Sequence, residues 1–150
     1  MNIVSYLPTA LVAGLLGMAA MELVMWLICR RGWAKGNMVV ALGSLITRRR
    51  ENAFFVGGVT HVIAAVVFAL LYTVVMARFG LVHFPGVLMA GVGFGILHGM
   101  IVTLTLVWII ADQHPLEEFQ DAGFAVGVSH IAGHVVFGAV VGLVVGLSSL

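Results

Sequence analysis

Four long apolar segments make up most of this chain, at approximately residues 3–29, 53–77, 85–111 and 122–147. Each exceeds the ~20 residues that an α-helix needs to cross ~30 Å of hydrocarbon. None shows the alternation of apolar and polar residues over ~10 positions that is typical of a membrane β-strand. The pattern therefore predicts a single all-α domain over residues 1–150, with four transmembrane helices in an up-and-down bundle.

A shorter apolar stretch, Met38–Ile46, lies between the first two segments and is flanked by Lys35 and Arg48. It is too short to span the hydrocarbon, so we expect a short interfacial helix in the headgroup region. Six of the seven Lys and Arg residues lie between residues 30 and 50, and basic loops stay in the cytoplasm. The interfacial helix and the 112–121 loop are therefore predicted to be cytoplasmic, and both termini to lie outside the cytoplasm.

The composition agrees with a membrane protein, since the chain is 62% hydrophobic and 9% charged, against roughly one quarter charged in soluble domains. The sequence has no nucleotide-binding loop, hydrolase motif or basic patch for nucleic acid. The lipid bilayer is the partner that the composition predicts. Enzymatic activity and association with other subunits of a membrane complex stay open.

Five ionisable side chains stand alone inside the apolar segments, at least one in each: Glu22, His61, His98, His130 and His134. Such groups are costly in hydrocarbon, so they face a protein interior and mark ion, proton, metal or cofactor sites. With a helical rise of ~1.5 Å per residue, Glu22, His61 and His130 lie ~12–14 Å from the cytoplasmic boundary, and His98 and His134 ~20 Å. The five side chains are therefore predicted to meet in two adjoining tiers of one bundle.

Glycines recur at helical spacing beside these histidines. One stripe runs along the third segment and one along the fourth: Gly91, Gly95, His98 and Gly99, and Gly127, His130, His134, Gly138 and Gly142. Small residues at three- and four-residue intervals let transmembrane helices approach closely. The stripes predict close helix packing, and clearance for a flat cofactor is the alternative.

The residue types indicate a transition metal, because imidazole and carboxylate together suit Fe, Cu or Zn. His130 and His134, at i and i+4, share a helix face and can supply two ligands to one ion. The predicted metal ligands are Glu22, His61, His98, His130 and His134. A stripe of Met18, Met25 and Cys29 beside Glu22 adds sulfur, which would favour copper, although methionines at this spacing commonly only pack.

Haem b is the second cofactor that the pattern allows. The second and fourth helices of an up-and-down bundle are diagonal, so His61 and His130 would supply both axial ligands across the core. Either cofactor predicts a buried site for redox chemistry or metal handling.

Two other functions stay open. In an accessory subunit of a larger membrane complex, the histidines would only hydrogen-bond between helices, to Thr60, Thr103, Ser129 or backbone carbonyls, at ~0.6 kcal/mol each. In a small proton- or metal-coupled carrier, the Glu and His side chains would relay protons or ions. The loop residues Asp112, His114, Glu117, Glu118 and Asp121 are interpreted as a solvated loop and not as ligands.

Several short motifs resemble those of a group of small, uncharacterised bacterial four-helix inner-membrane proteins. The motifs are His61-x3-Ala-x2-Phe-Ala-x2-Tyr72, Gly95-x2-His98-Gly, His114-Pro115 and His134-x3-Gly-x3-Gly142. The resemblance covers approximately residues 53–146 and implies a multi-pass location in the bacterial inner membrane. It implies no activity, so the function depends on the chemistry of the site.

Overall fold

A computed structural model describes residues 3–34, 37–120 and 122–148. Within these ranges the chain forms helices and no strands. The five α-helices are α1 (Ile3–Arg30), α2 (Met38–Thr47), α3 (Ala53–Arg78), α4 (Gly86–Val102) and α5 (Phe124–Leu147). Helix α4 continues as a π-helix over Thr103–Ile110 and a 3₁₀ turn over Ala111–Gln113, and a second 3₁₀ turn covers Glu117–Phe119. Lys35 and Asp121, both named above, lie outside the described residues.

Four of the helices are long and apolar enough to cross a membrane. Their spans are Ser5–Arg30, Ala53–Arg78, Gly86–Gln113 and Phe124–Leu147. They agree with the predicted segments to within a few residues. Large apolar side chains on their outward faces stay exposed, for example Leu23, Phe54, Ile63 and Leu97. The predicted all-α fold with four membrane-length helices is confirmed.

Helix α5 is packed on two sides, by α1 and by α4. Helix α1 also packs along α3, whereas α3 makes few contacts with α4 or α5. Where α3 ends and α4 begins, the interior is filled by Met76, Val87, Val141 and Val145, each 0% exposed. Toward the opposite end the looser packing of α3 leaves a cavity between the helices.

The two glycine stripes face each other, as the close-packing interpretation predicts. A Cβ on Gly95 would lie 2.8 Å from the Cα of Val135, and one on Gly138 would lie 3.0 Å from the Cα of Gly95. Gly91 is equally tight, because its Cβ would lie 3.1 Å from the Cα of Gly142. The backbone of the opposite helix therefore fills this clearance, which leaves no room there for a flat cofactor.

The short apolar stretch forms a helix, α2, whose first turn is capped by the Asn37 side chain accepting from the Val40 N–H at 3.2 Å. Gly43 of α2 and Gly57 of α3 lie in backbone contact, since a Cβ on either would overlap the main chain of the other helix. Such contact requires glycine at both positions. Helix α2 is thus held against the start of α3, and Met38 and Leu42 line the cavity.

The two loops that were predicted to share one side of the membrane lie at the same end of the molecule. Arg50, between α2 and α3, pairs with Glu118 of the second 3₁₀ turn. His114 reaches back to the Ala41 carbonyl of α2, with its Nε2 at 3.0 Å. Helix α2 and residues 111–120 therefore cover the cavity end of the bundle together.

The glycine contacts generate a test. Gly91→Ala and Gly95→Ala should each destabilise the protein by about 1–3 kcal/mol, because the added methyl meets backbone atoms of α5 that cannot rotate away. Unfolding of the full chain in detergent, followed by circular dichroism, measures the effect.

Gly93→Ala is the matched control on the same helix. No described atom outside its own helix lies within 4 Å of a Cβ at this position, so its effect should stay within about 0.5 kcal/mol. Equal stability of all three variants would contradict the close approach of α4 and α5.

Candidate histidine-lined site

A cavity of about 500 Å³ opens among α1, α2, α3, α4 and α5 in the half of the bundle near the two loops. It extends from Phe137 and Phe68 in the middle of the helices to Glu117 and Phe119 at the loops. Five of the six histidines of the chain line it: His61, His98, His114, His130 and His134. The four histidines that the sequence predicts to converge therefore do so.

Glu22 contacts the site from behind His61. Its Oε1 lies 2.8 Å from His61 Nδ1, and the side chains are 34% and 16% exposed. The two atoms are close without the alignment of a hydrogen bond, so the buried Oε1 has no hydrogen-bond donor among the described residues. Glu22 is also not among the described residues that line the cavity. Its position makes it a partner of His61, whereas the sequence predicts a direct ligand.

His98 is held between two aromatic side chains of α3. Its Nδ1 lies 3.1 Å from the Tyr72 hydroxyl, which also lies 3.0 Å from the Phe94 carbonyl. A hydroxyl has one proton, so both contacts are satisfied when Tyr72 donates to the carbonyl and His98 Nδ1–H donates to Tyr72. Phe68 stacks on the other side, with ring centroids 3.9 Å apart.

His130 and His134 use their Nδ1 atoms on their own helix. His130 Nδ1 donates to the Val126 carbonyl at 2.8 Å, and His134 Nδ1 donates to the His130 carbonyl at 2.8 Å. Because a carbonyl only accepts, both Nδ1 atoms must carry the proton. Neutral rings then have Nε2 as a bare lone pair, and neither Nε2 has a hydrogen-bond partner in the described part of the chain.

Three of the four imidazoles of the long helices are therefore engaged through Nδ1, by a tyrosine hydroxyl and two backbone carbonyls, and His61 Nδ1 lies in close contact with the Glu22 carboxylate. All four rings line one cavity, and none of their Nε2 atoms has a hydrogen-bond partner in the described part of the chain. Only acceptor chemistry remains at these nitrogens, so the groups that they can hold are a cation or a hydrogen-bond donor.

The same atoms do not form a ready-made coordination sphere. Across residues 3–34, 37–120 and 122–148, no three His, Cys, Asp or Glu side chains are grouped closely enough to hold a metal ion. The closest pair of imidazoles is His98 and His134, whose ring centroids are 4.5 Å apart and nearly perpendicular. Glu22 contacts His61 and His98 contacts His134, each within one of the predicted tiers. No hydrogen bond, ion pair or ring contact joins His130, the third member of the first predicted tier, to Glu22 or His61 among the described residues.

Side chains with sulfur are among those that line the cavity, namely Met21, Met25, Cys29 and Met38. The predicted stripe names Met18 instead of Met21. Met21 and Met25 belong to the hydrophobic core and also line the cavity, whereas Met18 packs against that core without lining the cavity. Met21 lies three residues from Met18 on nearly the same face, so helical periodicity alone does not decide which of them reaches the cavity.

His114 is the buried, cavity-lining residue that the solvated-loop interpretation misses. It is 4% exposed. Its Nε2 donates to the Ala41 carbonyl, and its Nδ1 accepts from the Leu116 N–H at 3.1 Å. Both ring nitrogens are thus satisfied, unlike those of the other four histidines. The one sequence signal is His114-Pro115 directly after a long apolar segment, which indicates a fixed turn.

Of the predicted hydrogen-bond partners, the histidines use backbone carbonyls, within α5 for His130 and His134, and not the three hydroxyls. Thr60 and Ser129 donate to the carbonyls of Val56 and Ala125 on their own helices. Thr103 donates to the Gly127 carbonyl at 3.1 Å. A Ser or Thr hydroxyl in a helix readily donates to the carbonyl four residues before it. The hydroxyl protons of these side chains are therefore already used in other hydrogen bonds.

No family model matches the chain, and neither a curated protein nor a solved structure shows significant similarity to it. The resemblance to small bacterial four-helix membrane proteins therefore stays a prediction. The class that the structure defines is an all-helical protein with four apolar helices of membrane-spanning length.

The contact between Tyr72 and His98 can be tested by a double-mutant cycle. Tyr72→Phe and His98→Phe should show a coupling of about 0.6–1.7 kcal/mol in detergent unfolding, the range for hydrogen bonds between membrane helices. Tyr6 serves as the control, because its hydroxyl donates at 2.7 Å to the Leu70 carbonyl and not to a histidine. Tyr6→Phe and His98→Phe should add within about 0.5 kcal/mol, and equal coupling in both cycles would contradict the pairing.

Proposed function

We propose that the protein is an integral membrane protein of the bacterial inner membrane that binds a transition-metal ion in its histidine-lined cavity. The observation that carries the proposal is the common state of the four imidazoles, each in polar contact at Nδ1 and without a partner at Nε2. Metal-ligating histidines characteristically donate one ring N–H to a carboxylate, carbonyl or other acceptor, which fixes the ring and leaves the other nitrogen for the metal.

Glu22 and His61 support the same proposal. A carboxylate behind a ligating imidazole raises the basicity of the ligand and fixes its orientation. The buried oxygen without a donor also calls for an explanation in a bilayer, and a positive charge bound at the far side of His61 would provide one. In this proposal Glu22 is a positioning residue, and His61, His98, His130 and His134 offer the ligand atoms.

The accessory-subunit alternative has one observation in its favour. The chain of contacts from His98 through Tyr72 to the Phe94 carbonyl joins α3 to α4. His130 and His134, however, hydrogen-bond within α5, and such bonds add nothing to the association of helices. If the histidines only hydrogen-bonded between helices, their four Nε2 atoms without a partner would have no role.

Haem receives less support than a bare ion. The glycine stripes pack against each other and offer no slot for a flat ring. Two carboxylates, Glu117 and Glu118, line the cavity where it meets the loops. Acidic groups at this end attract a cation and repel the propionates of haem.

The proposed ion would enter from the cytoplasm, because the cavity lies at the end of the bundle with the basic 30–50 loop. Exposed Arg49 and Arg50 next to α3 fit the positive-inside rule. Insertion itself is supported by the apolar outer faces of the four long helices, which water would not tolerate over such an area.

Loss of ligands provides the main test. His61→Ala, His130→Ala and His134→Ala should each reduce the metal bound to the purified protein by about tenfold or more, because the site loses an atom that holds the ion. The protein should be purified in detergent through a tag without histidine and without chelator, and the metal measured by elemental analysis.

His83→Ala is the matched control for that measurement. His83 is exposed in the connection between α3 and α4, away from the cavity, so this variant should retain the wild-type metal content. Wild-type protein with less than about one tenth of an equivalent of any transition metal after reloading, and with no Soret band, would contradict metal and haem binding together.

Sidedness has its own test. In a Cys29→Ser background, cysteines placed at positions 49 and 118 should react with a membrane-impermeant thiol reagent only in inside-out vesicles, since basic loops stay in the cytoplasm. A cysteine at position 83 should react only in right-side-out cells. The reverse pattern would overturn the proposed orientation and the entry of the ion from the cytoplasm.

A further inference from the structure

Three methionines line the same cavity as the histidines, and they indicate the kind of metal. We infer that the site takes a soft monovalent ion of low coordination number, Cu(I) or its redox-inert equivalent Ag(I), between imidazole nitrogens and the thioethers of α1. The inference rests on the proposed metal-binding function and adds the chemical class of the ion.

The thioethers of α1 pack against α5 at Gly133. Met21 and Met25 are 2% and 5% exposed, and both line the cavity. A Cβ on Gly133 would lie 3.2 Å from Met25 Sδ and 3.2 Å from Met21 Cγ. Gly133 stands between His130 and His134 in the sequence, so the missing side chain lets the methionines lie against the α5 backbone between the two histidines.

The available ligands favour an ion that needs few of them. Structural zinc is almost always four-coordinate, and its catalytic sites use three protein ligands plus water. No group of three His, Cys, Asp or Glu side chains occurs in the described ranges to meet that demand. The adjacent His98 and His134 rings offer two nitrogens, and the lining adds the three thioethers of Met21, Met25 and Met38, a ligand type that selects Cu(I).

The charge of the side chains around the cavity also favours a monovalent ion. Glu22 is the only acidic residue within the four apolar segments, and the other donors deep in the cavity, imidazole and thioether, are neutral. The cost of transferring an ion out of water rises with the square of its charge. One carboxylate can compensate a monovalent ion, whereas a divalent ion in the same place would keep an uncompensated charge.

Methionine also suits a cavity larger than a single ion. Its three rotatable bonds and polarisable sulfur let it adapt to irregular space. Met21, Met25 and Met38 can therefore close on an ion held by the imidazoles, without a change in the helices that carry them.

The test compares metals on the full-length wild-type protein in detergent. Cu(I), kept reduced and buffered by a competing chelator, and Ag(I) should each bind at least about a hundredfold more tightly than Zn(II), in keeping with the preference of thioethers for soft ions. Met21→Leu and Met25→Leu should each weaken Cu(I) and Ag(I) by about tenfold or more and leave Zn(II) unchanged.

Methionine and leucine have nearly equal volumes, so these variants should fold. Met89→Leu is the matched control, because Met89 is 71% exposed on α4 and should leave all three affinities unchanged. Circular dichroism and the elution volume of each variant in detergent check the fold independently of metal.

The outcomes separate the two proposals. Zn(II) binding as tight as Cu(I), or methionine variants that alter no metal affinity, would overturn the soft-ion inference and leave the histidine site in place. Absence of binding for all three ions in folded wild-type protein would overturn both.

Discussion

The backbone contact between α4 and α5 determines where the candidate site can exist. Glycines on both helices bring the main chains together, and the same contact sets the His98 and His134 rings 4.5 Å apart. Helix α5 packs on α4 and on α1, whereas α3 packs on α1 and α2 with few contacts to α4 or α5, which leaves the interior open. The cavity therefore exists because small residues bring α4 and α5 together, whereas no such contact brings α3 and α4 together in the described structure.

Within that cavity the bilayer would impose a second constraint, since a polar group in hydrocarbon needs a partner. His98, His130 and His134 each satisfy it once, at Nδ1, and His61 Nδ1 has the Glu22 carboxylate in contact. His114 satisfies it twice and is a structural tie between the loop and α2. The difference between one and two engaged nitrogens separates the proposed ligands from the histidine that only stabilises the fold.

Much of this arrangement can be predicted from the sequence. The number, type and approximate bounds of the long helices follow from segment length, and the convergence of four histidines follows from the helical rise of ~1.5 Å per residue. The glycine stripes predict close packing, because their three- and four-residue spacing places them on one face. These features depend on local periodicity, which a single chain displays directly.

Other features depend on tertiary contacts that periodicity does not encode. Glu22 lies at the predicted depth on α1. The rotation of α1 about its own axis, which the sequence does not reveal, directs the Glu22 side chain to His61. Met21 reaches the cavity in place of Met18 for the same reason. The burial of His114 depends on α2 folding back on α3 through Gly43 and Gly57, two glycines in different segments whose contact no spacing rule reveals.

The central claim is that four neutral imidazoles keep the proton on Nδ1 and present Nε2 to a shared cavity. Solid-state ¹⁵N NMR of histidine-labelled, metal-free protein in lipid bilayers measures this directly, because protonated and bare ring nitrogens have well-separated shifts. Assignment by single His→Gln variants should give a protonated Nδ1 and a bare Nε2 for His61, His98, His130 and His134, with the reverse for His114. Addition of Ag(I) should then move the bare Nε2 signals of the ligating rings. Protonated Nε2 atoms on His130 and His134, or signals that no metal ion moves, would contradict the account.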